Sequence, residues 1–219
     1  TRVLPEVTIS ELTPRKRRFF LKHLARFLLL FESVKAKGSF LDNKRVIVTA
    51  APHQSGKDEY LMILMILALD IDVCYLSAKW TMRRIPIPFV KPKDIDNQGI
   101  PWPLGWLQEI VFRKFGAIPV DRKGNSGQYD SVVQELLKRD NFLLIITPEG
   151  RFDATRFRSS FLYLAKELEA EVMPVQIDYE HDTLQFLDSL NLDGSEEEVI
   201  QRLRFCFDGV KGRKSRFKA

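Results

Sequence analysis

The sequence is poor in the residue types that most often form disulfides or bind metals. Its 219 residues include two cysteines, Cys74 and Cys206, and three histidines, His23, His53 and His181. Two cysteines make no disulfide framework, so we expect a reducing compartment, the cytoplasm. The histidines are far apart in the chain and Cys74 falls in an apolar segment, where burial explains it. We therefore predict no metal site and no bound cofactor.

The sequence also lacks a leader peptide and a long apolar run. No stretch of about eighteen apolar residues occurs, so we predict no transmembrane helix. The formal charge is +5 and the pI is about 9.2, which favours an anionic partner such as nucleic acid, anionic lipid or a phosphorylated metabolite. Basic residues do not alternate with aromatic ones as in strand-based nucleic-acid binders, so nucleic acid is not expected.

Residues 1–38 form a basic N-terminal segment with a predicted amphipathic helix. Residues 14–18 read Pro-Arg-Lys-Arg-Arg, and the strongly apolar run Phe19–Phe31 follows. Helical spacing puts the polar side chains on one face: Lys22, His23 and Arg26. Phenylalanine and leucine occupy the other face, which suits the interface of a membrane, so residues 15–31 are predicted to contact a membrane surface. Packing of the apolar face on the core of the domain is the alternative.

Residues 39–219 are predicted to form one α/β domain, with a mixed sheet flanked by helices. The order strand, helix, strand over Lys44–Ala50, Gly56–Leu69 and Asp72–Ser77 indicates a crossover connection. Five prolines make residues 85–105 a long loop. Further helices are predicted at Trp102–Lys114, Gly127–Lys138, Phe157–Leu168 and Glu196–Phe207, and further strands at Ala117–Val120, Phe142–Thr147 and Val172–Ile177. The basic tail, Lys211–Ala219, is predicted to be loose.

His53 and Asp58 follow the first predicted strand of this domain, where open α/β sheets place their ligands. Pro52 and Gly56 predict a turn that displays His53, and Asp58 falls in the first turn of the next helix. A carboxylate at one ring nitrogen fixes the tautomer and leaves the other nitrogen free to accept a proton. The pair is therefore a candidate general base with its orienting acid. A plain helix-capping role for Asp58 is the alternative.

Two later turns carry candidate anion-binding residues. Gly116 precedes a short strand that runs to Arg122, whose planar guanidinium suits a phosphate. The next strand leads into Glu149, Gly150 and Arg151. Gly150 permits close approach of the backbone to a ligand, Arg151 can bind an anion, and Glu149 needs a partner so near a buried strand. Ordinary surface turns and ion pairs are the alternative at both places.

A fourth segment, Val172 to Asp178, contains Pro174 within an apolar run. Its apolar side chains line a pocket at the strand end or belong to the core. Taken together, these four segments resemble the motifs of the glycerolipid acyltransferase family, which includes the bacterial lysophosphatidic acid acyltransferases. The resemblance rests on a His and an Asp separated by four residues, a Gly…Asp-Arg block, a Pro-Glu-Gly block and an apolar block with a proline, in that order, over roughly residues 45–180.

The resemblance implies an O-acyltransferase of phospholipid biosynthesis with His53 as general base and Asp58 as its orienting acid. The acyl donor would be acyl-CoA or an acyl carrier protein thioester, and the acceptor a lysophospholipid such as 1-acyl-glycerol-3-phosphate. Backbone amides after His53 are expected to stabilise the oxyanion. Residues implied in substrate binding are Arg122, Glu149, Gly150, Gly116, Arg151 and Pro174, with Lys57 in a supporting role. The enzyme would be peripherally bound to the membrane.

Two departures from the family pattern concern its first and third blocks. Pro52 stands where an asparagine often precedes the histidine, and Arg151 comes one place early in the third block. A different acceptor, glycerol 3-phosphate or an amino-lipid, stays open, as does a non-catalytic lipid-binding protein of the same fold. A P-loop nucleotide site at Ser55-Gly56-Lys57 is disfavoured because it lacks the upstream glycine and has Asp58 in place of Ser or Thr.

Overall fold

The computed structural model describes residues 6–9, 19–40, 45–69, 73–85, 100–120, 127–149 and 156–213. In chain order its elements are β1 (Glu6–Ile9), α1 (Phe19–Leu29), β2 (Lys35–Phe40), β3 (Arg45–Ala51), α2 (Gly56–Ala68), β4 (Val73–Ala78), β5 (Arg84–Ile85), β6 (Ile100–Pro101), α3 (Gly105–Lys114), β7 (Ala117–Val120), α4 (Gly127–Leu137), β8 (Phe142–Ile146), α5 (Ser160–Glu167), β9 (Glu171–Asp178), β10 (Thr183–Phe186) and α6 (Glu196–Phe205). The alternation of helices and strands confirms the predicted α/β class.

The chain divides into two compact units. One consists of Thr1–Val73 together with Asp140–Ala219, and the other of Cys74–Arg139. No described helix is long and apolar enough to cross a bilayer.

The first unit is built on a mixed sheet with the strand order β1-β2-β10-β9-β3-β8. Strands β9, β3 and β8 are mutually parallel, with β3 in the middle, whereas β10 runs antiparallel to β9. Helix α5 connects β8 to β9 and packs on β3 between them. Since the three parallel strands end at the same edge of the sheet, the residues that follow them are brought together there.

The three central strands are apolar almost without interruption, as expected for strands covered on both faces. Residues 46–51 of β3, 142–145 of β8 and 172–175 of β9 are all buried. This continuous burial explains why the sequence predicted these strands with nearly correct bounds. Pro174 lies inside β9 and is paired with Thr49, although proline is unusual in a central strand because it has no N–H to donate.

Helix α1 packs on α2, with Ala25 and Arg26 among the residues on the covered side. Ala25 is buried, and the Arg26 guanidinium donates to the carbonyl of Ala68 at the end of α2, over 3.2 Å. A cation is favourable there because the last carbonyls of a helix carry partial negative charge. The phenylalanines of the other side face outward: Phe20 is 73% exposed and Phe31 is 74% exposed. The predicted helix is confirmed, and its exposed residues include Phe20, Phe27 and His23.

The second unit pairs β4 with β7 in parallel and β5 with β6 in antiparallel orientation. Helix α3 ends before Gly116, which has a φ of +93°. Most of the predicted long loop, residues 86–99, lies outside the described residues.

Two expectations from the sequence were wrong. Strands β1, β2 and β10 were not predicted, because β1 and β10 are very short and β2, Lys-Ala-Lys-Gly-Ser-Phe, has few apolar residues. The tail was predicted to be loose from Lys211 onward, but the carbonyl of Lys211 accepts a hydrogen bond from the Tyr179 amide over 2.9 Å, and Gly212 is buried. The remainder of the tail, residues 214–219, lies outside the described residues.

Candidate active site

Three turns meet at the carboxyl edge of the parallel strands in the first unit. His53 follows β3, Glu149 follows β8 and Tyr179 follows β9. Glu149 and Tyr179 make direct hydrogen bonds with the His53–Asp58 turn. The sequence singled out His53 and Glu149, but it gave no signal for Tyr179.

Asp58 lies in the first turn of α2, and its carboxylate is turned back toward His53. The Oδ2 atom accepts hydrogen bonds from the amides of Gln54, at 2.7 Å, and Ser55, at 2.8 Å. The same oxygen is 3.6 Å from Nδ1 of His53. His53 is 5% exposed and Asp58 is 1% exposed. One carboxylate thus binds the helix-entry amides, as in the capping alternative, and also faces the imidazole, so the two roles are compatible and the orienting role stays a prediction.

Tyr179 provides the other contact of Asp58. Its hydroxyl donates to Oδ1 of Asp58 over 2.6 Å, and its side chain is buried. Burial and the hydrogen bond to Asp58 raise the pKa of the Tyr179 phenol, so the hydroxyl keeps its proton. Tyr179 is thus a permanent donor to this carboxylate.

The Asp58 carboxyl is ionised despite its burial. Burial raises its pKa, but the interactions with His53 and Tyr179 and with two backbone amides outweigh burial and leave the pKa below its ordinary value. A negative charge fixed beside an imidazole ring stabilises the imidazolium that forms when the ring takes up a proton.

A second carboxylate faces the other ring nitrogen. Oε1 of Glu59 is 3.4 Å from Nε2 of His53, and Glu59 is 46% exposed. The nitrogen suited to accept a proton from a substrate is therefore next to a side chain that solvent reaches. The sequence contained Glu59 directly after Asp58 but gave no reason to select it.

Glu149 binds the backbone of the turn. Its Oε2 accepts a hydrogen bond from the His53 amide over 2.6 Å. Burial raises the pKa of the Glu149 carboxyl above its ordinary value, and the nearby Asp58 charge raises it further. The sequence predicted that Glu149 needs a partner, and His53 supplies it by joining the end of β8 to the turn after β3.

The amides expected to form an oxyanion hole are largely occupied. Those of Gln54 and Ser55 donate to Asp58, and that of His53 donates to Glu149. These three amides therefore already have acceptors in the fold, and the expectation that amides near the turn after His53 stabilise an oxyanion stays a prediction.

Comparison with protein families matches part of the chain. Residues 103–178, about a third of the chain, match the family model described as Acyltransferase. The match supports a general acyltransferase activity. It is also consistent with the glycerolipid acyltransferase resemblance. No curated protein sequence matches the chain.

The matched segment of the acyltransferase contains the residues implied in substrate binding, from Gly116 to Pro174, whereas His53 and Asp58 precede it. Gly116 is buried in the left-handed conformation that ends α3, where its amide donates to the carbonyl of Arg113 and its own carbonyl accepts from the Tyr75 amide. This arrangement explains why a glycine occupies that position, and its contact with substrate stays a prediction. The segment also spans Arg122, Gly150 and Arg151, which lie outside the described residues.

Two further predicted residues of the acyltransferase have other partners in the fold. Lys57 forms an ion pair with Glu32, with 2.6 Å between Nζ and Oε2. Pro174 is buried in β9, and its carbonyl accepts from the Leu187 amide. Neither of these contacts involves His53, so the roles of Lys57 and Pro174 in substrate binding also stay predictions.

Proposed function

We propose that the protein transfers a fatty acyl chain from an acyl thioester to a hydroxyl of a lysophospholipid, most simply 1-acyl-glycerol-3-phosphate. The donor is acyl-CoA or an acylated carrier protein, and His53 is the general base. The observation that carries the proposal is the buried His53–Asp58 pair, with Nε2 of His53 next to the half-exposed Glu59, in a chain of which residues 103–178 match an acyltransferase family model.

The reaction follows from the roles of these groups. Nε2 of His53 accepts the proton of the acceptor hydroxyl while the oxygen attacks the thioester carbonyl. The tetrahedral intermediate collapses, the C–S bond breaks, and the thiolate takes the proton from the imidazolium. Asp58 holds the ring by Nδ1 and stabilises its positive charge between the two proton transfers. No enzyme nucleophile is needed, because the acceptor oxygen attacks directly.

In this proposal Arg122 binds the acceptor phosphate, and the resemblance implies that Gly116, Glu149, Gly150, Arg151 and Pro174 also take part in substrate binding. Three carboxylates surround His53, namely Asp58, Glu59 and Glu149, so an anionic acceptor needs positive charge from elsewhere. The two arginines that the sequence places in the second and third turns are suited to this task.

Helix α1 is proposed to hold the enzyme peripherally on a membrane. Phe20 and Phe27 of α1 are exposed, Phe27 is in edge-to-face contact with Phe31 just after the helix, and the basic residues 15–18 precede α1 in the sequence. An exposed aromatic face beside positive charge favours the interface of an anionic bilayer. This placement gives the enzyme access to lipid acceptors without a transmembrane segment.

The test is acceptor-dependent release of free thiol from palmitoyl-CoA and from palmitoylated carrier protein, with lysophosphatidic acid as acceptor. We expect His53→Ala to lower the rate by about three orders of magnitude, as for other catalytic bases. His23→Ala is the matched control, because His23 is exposed on α1 and should retain wild-type turnover.

Near wild-type turnover of His53→Ala would reject His53 as the base. Thiol release with glycerol 3-phosphate or an amino-lipid, but not with lysophosphatidic acid, would reject the acceptor and keep the reaction. Binding to vesicles without thiol release from either donor, with any of the three acceptors, would favour the non-catalytic lipid-binding alternative.

A further inference from the structure

Tyr179 is a buried polar side chain that the mechanism above does not use. It follows the last residue of β9, and its hydroxyl donates to Oδ1 of Asp58 over 2.6 Å. Oδ2 of the same carboxylate faces Nδ1 of His53. Tyr179 and His53 therefore lie on opposite oxygens of one buried carboxylate.

The Tyr179 hydroxyl restricts rotation of the Asp58 carboxylate, which the contacts on Oδ2 alone do not prevent. The amides of Gln54 and Ser55 both bind Oδ2. Of the contacts on Oδ1, the Ser55 hydroxyl is at 3.2 Å and Tyr179 is much closer. A carboxylate held at one oxygen can still rotate about its last bond, whereas a short hydrogen bond at the second oxygen fixes its plane.

Tyr179 is itself held at two points. Its ring is buried, and its amide donates to the carbonyl of Lys211. The next residue, Gly212, lies against the side chain of Gln54, so that a Cβ there would meet the Gln54 amide group at 2.5 Å. Residues 211–212 thus contact both Tyr179 and the turn that carries His53.

We propose that Tyr179 is a positioning residue of the acyltransferase, which fixes the plane of the Asp58 carboxylate and thereby the tautomer and orientation of His53. Residues 211–212 hold Tyr179 in place against the turn. The role in turnover rests on the proposed function of His53 as general base. The effect on the imidazole tautomer is measured on the protein without any substrate.

The first experiment compares Tyr179→Phe with Tyr163→Phe. Tyr163 is a matched control, because its hydroxyl also donates to a carboxylate, Glu196, over 2.9 Å, but on the exposed surface of α5. For Tyr179→Phe we expect kcat to fall about tenfold, since one hydrogen bond to a charged group is lost, while the KM values of donor and acceptor change less than about twofold. Tyr163→Phe should leave both unchanged.

The second experiment places Tyr179→Phe in an Asp58→Ala background. If Tyr179 acts through the carboxylate, it has nothing left to position, and the double variant should turn over within about twofold of Asp58→Ala alone. A full additional tenfold loss in that background would overturn the proposal, because Tyr179 would then act independently of Asp58.

The third experiment needs no turnover. The ¹⁵N chemical shifts of the His53 ring at alkaline pH report which nitrogen carries the proton. We expect the Nδ1–H form in the wild type and in Tyr163→Phe, and a mixture of both tautomers in Tyr179→Phe. An unchanged spectrum in Tyr179→Phe would overturn the proposal. An inactive wild type with the expected change of tautomer would reject the proposed function and leave the positioning role intact.

Discussion

His53 is held by carboxylates at three of its atoms. Asp58 faces Nδ1, Glu59 faces Nε2, and Glu149 accepts from the backbone amide. Asp58 and Glu149 are buried or half-buried and fixed by hydrogen bonds, whereas Glu59 is at the surface. Asp58 and Glu149 therefore lie on the buried sides of His53, and Glu59 is the carboxylate that solvent reaches.

This arrangement predicts that Glu59 opposes anionic acceptors. In Glu59→Gln the side chain keeps its size but loses its charge, so kcat/KM for lysophosphatidic acid should rise about two- to fivefold, the size of an exposed charge interaction. A neutral monoacylglycerol should show no such gain, and Glu167→Gln on α5 serves as a control for an exposed glutamate away from the turn. An equal gain with both acceptors would exclude a charge effect.

The candidate site could be predicted from the sequence only where local spacing placed the residues. His53 lies in the loop before α2 and Asp58 in the first turn of α2, so local geometry brings the two side chains together. Tyr179 reaches the same carboxylate from 121 positions further along, through the parallel register of β3 and β9. A tyrosine after a predicted strand has no local feature that distinguishes it, so this contact required the structure.

At the scale of elements, α1 shows that amphipathicity alone does not tell which face meets the protein. The apolar face was the natural candidate for packing, but Phe20 and Phe27 of that face are exposed, whereas Ala25 is buried and Arg26 bonds to the end of α2. The small Ala25 permits close approach of the helices, and the guanidinium of Arg26 caps the carbonyl end of α2. The phenylalanine face is consequently left on the surface, where a large apolar patch marks an interaction site.

We predict that this face binds anionic membranes. Phe27→Asp combined with Phe31→Asp should lower partition onto vesicles containing phosphatidylglycerol by about tenfold or more, because two aromatic rings no longer enter the interface. Phe205→Asp is the matched control, since Phe205 is an exposed phenylalanine of α6 at 81% exposure. Equal sedimentation of all three proteins with vesicles would remove α1 from membrane binding.

Strand β2 shows why some elements could not be predicted from the sequence. Its sequence is polar, and Gly38 within it has a φ of +105°, a conformation that favours glycine. A Cβ at this position would collide with the backbone carbonyl of Phe186 in β10. Strand β2 therefore depends on close approach to a strand that is distant in the sequence, and a local sequence pattern does not reveal such a contact.

At the scale of the whole molecule, stability depends on charges buried at the site. The pKa of Glu149 is raised in the folded chain above its ordinary 4.5, so the folded state binds more protons than the unfolded state between those two values. The free energy of unfolding contributed by Glu149 therefore falls as pH rises through that window. Asp58 has the opposite sign: its pKa is lowered, so its contribution is present above its ordinary value and is lost as pH falls through the folded-state pKa.

We predict that Glu149→Gln is more stable than the wild type at neutral pH. The amide oxygen of the substituted side chain still accepts from the His53 amide, but it carries no charge to bury. Melting temperatures measured from pH 8 to pH 5 should show an advantage for Glu149→Gln that shrinks as pH falls toward the ordinary Glu value. A constant difference across this range, or a lower melting temperature at pH 8, would contradict the prediction.

The order of the strands along the chain has a consequence for biosynthesis. His53 is translated well before Glu149, Tyr179 and Lys211, the residues that hold its turn. A nascent chain that carries α1, β3 and α2 without the later strands already presents the phenylalanine face and lacks the groups that order the imidazole. On the proposal that α1 binds membranes, the ribosome-bound protein can therefore reach a bilayer before the residues that hold the His53 turn have been made.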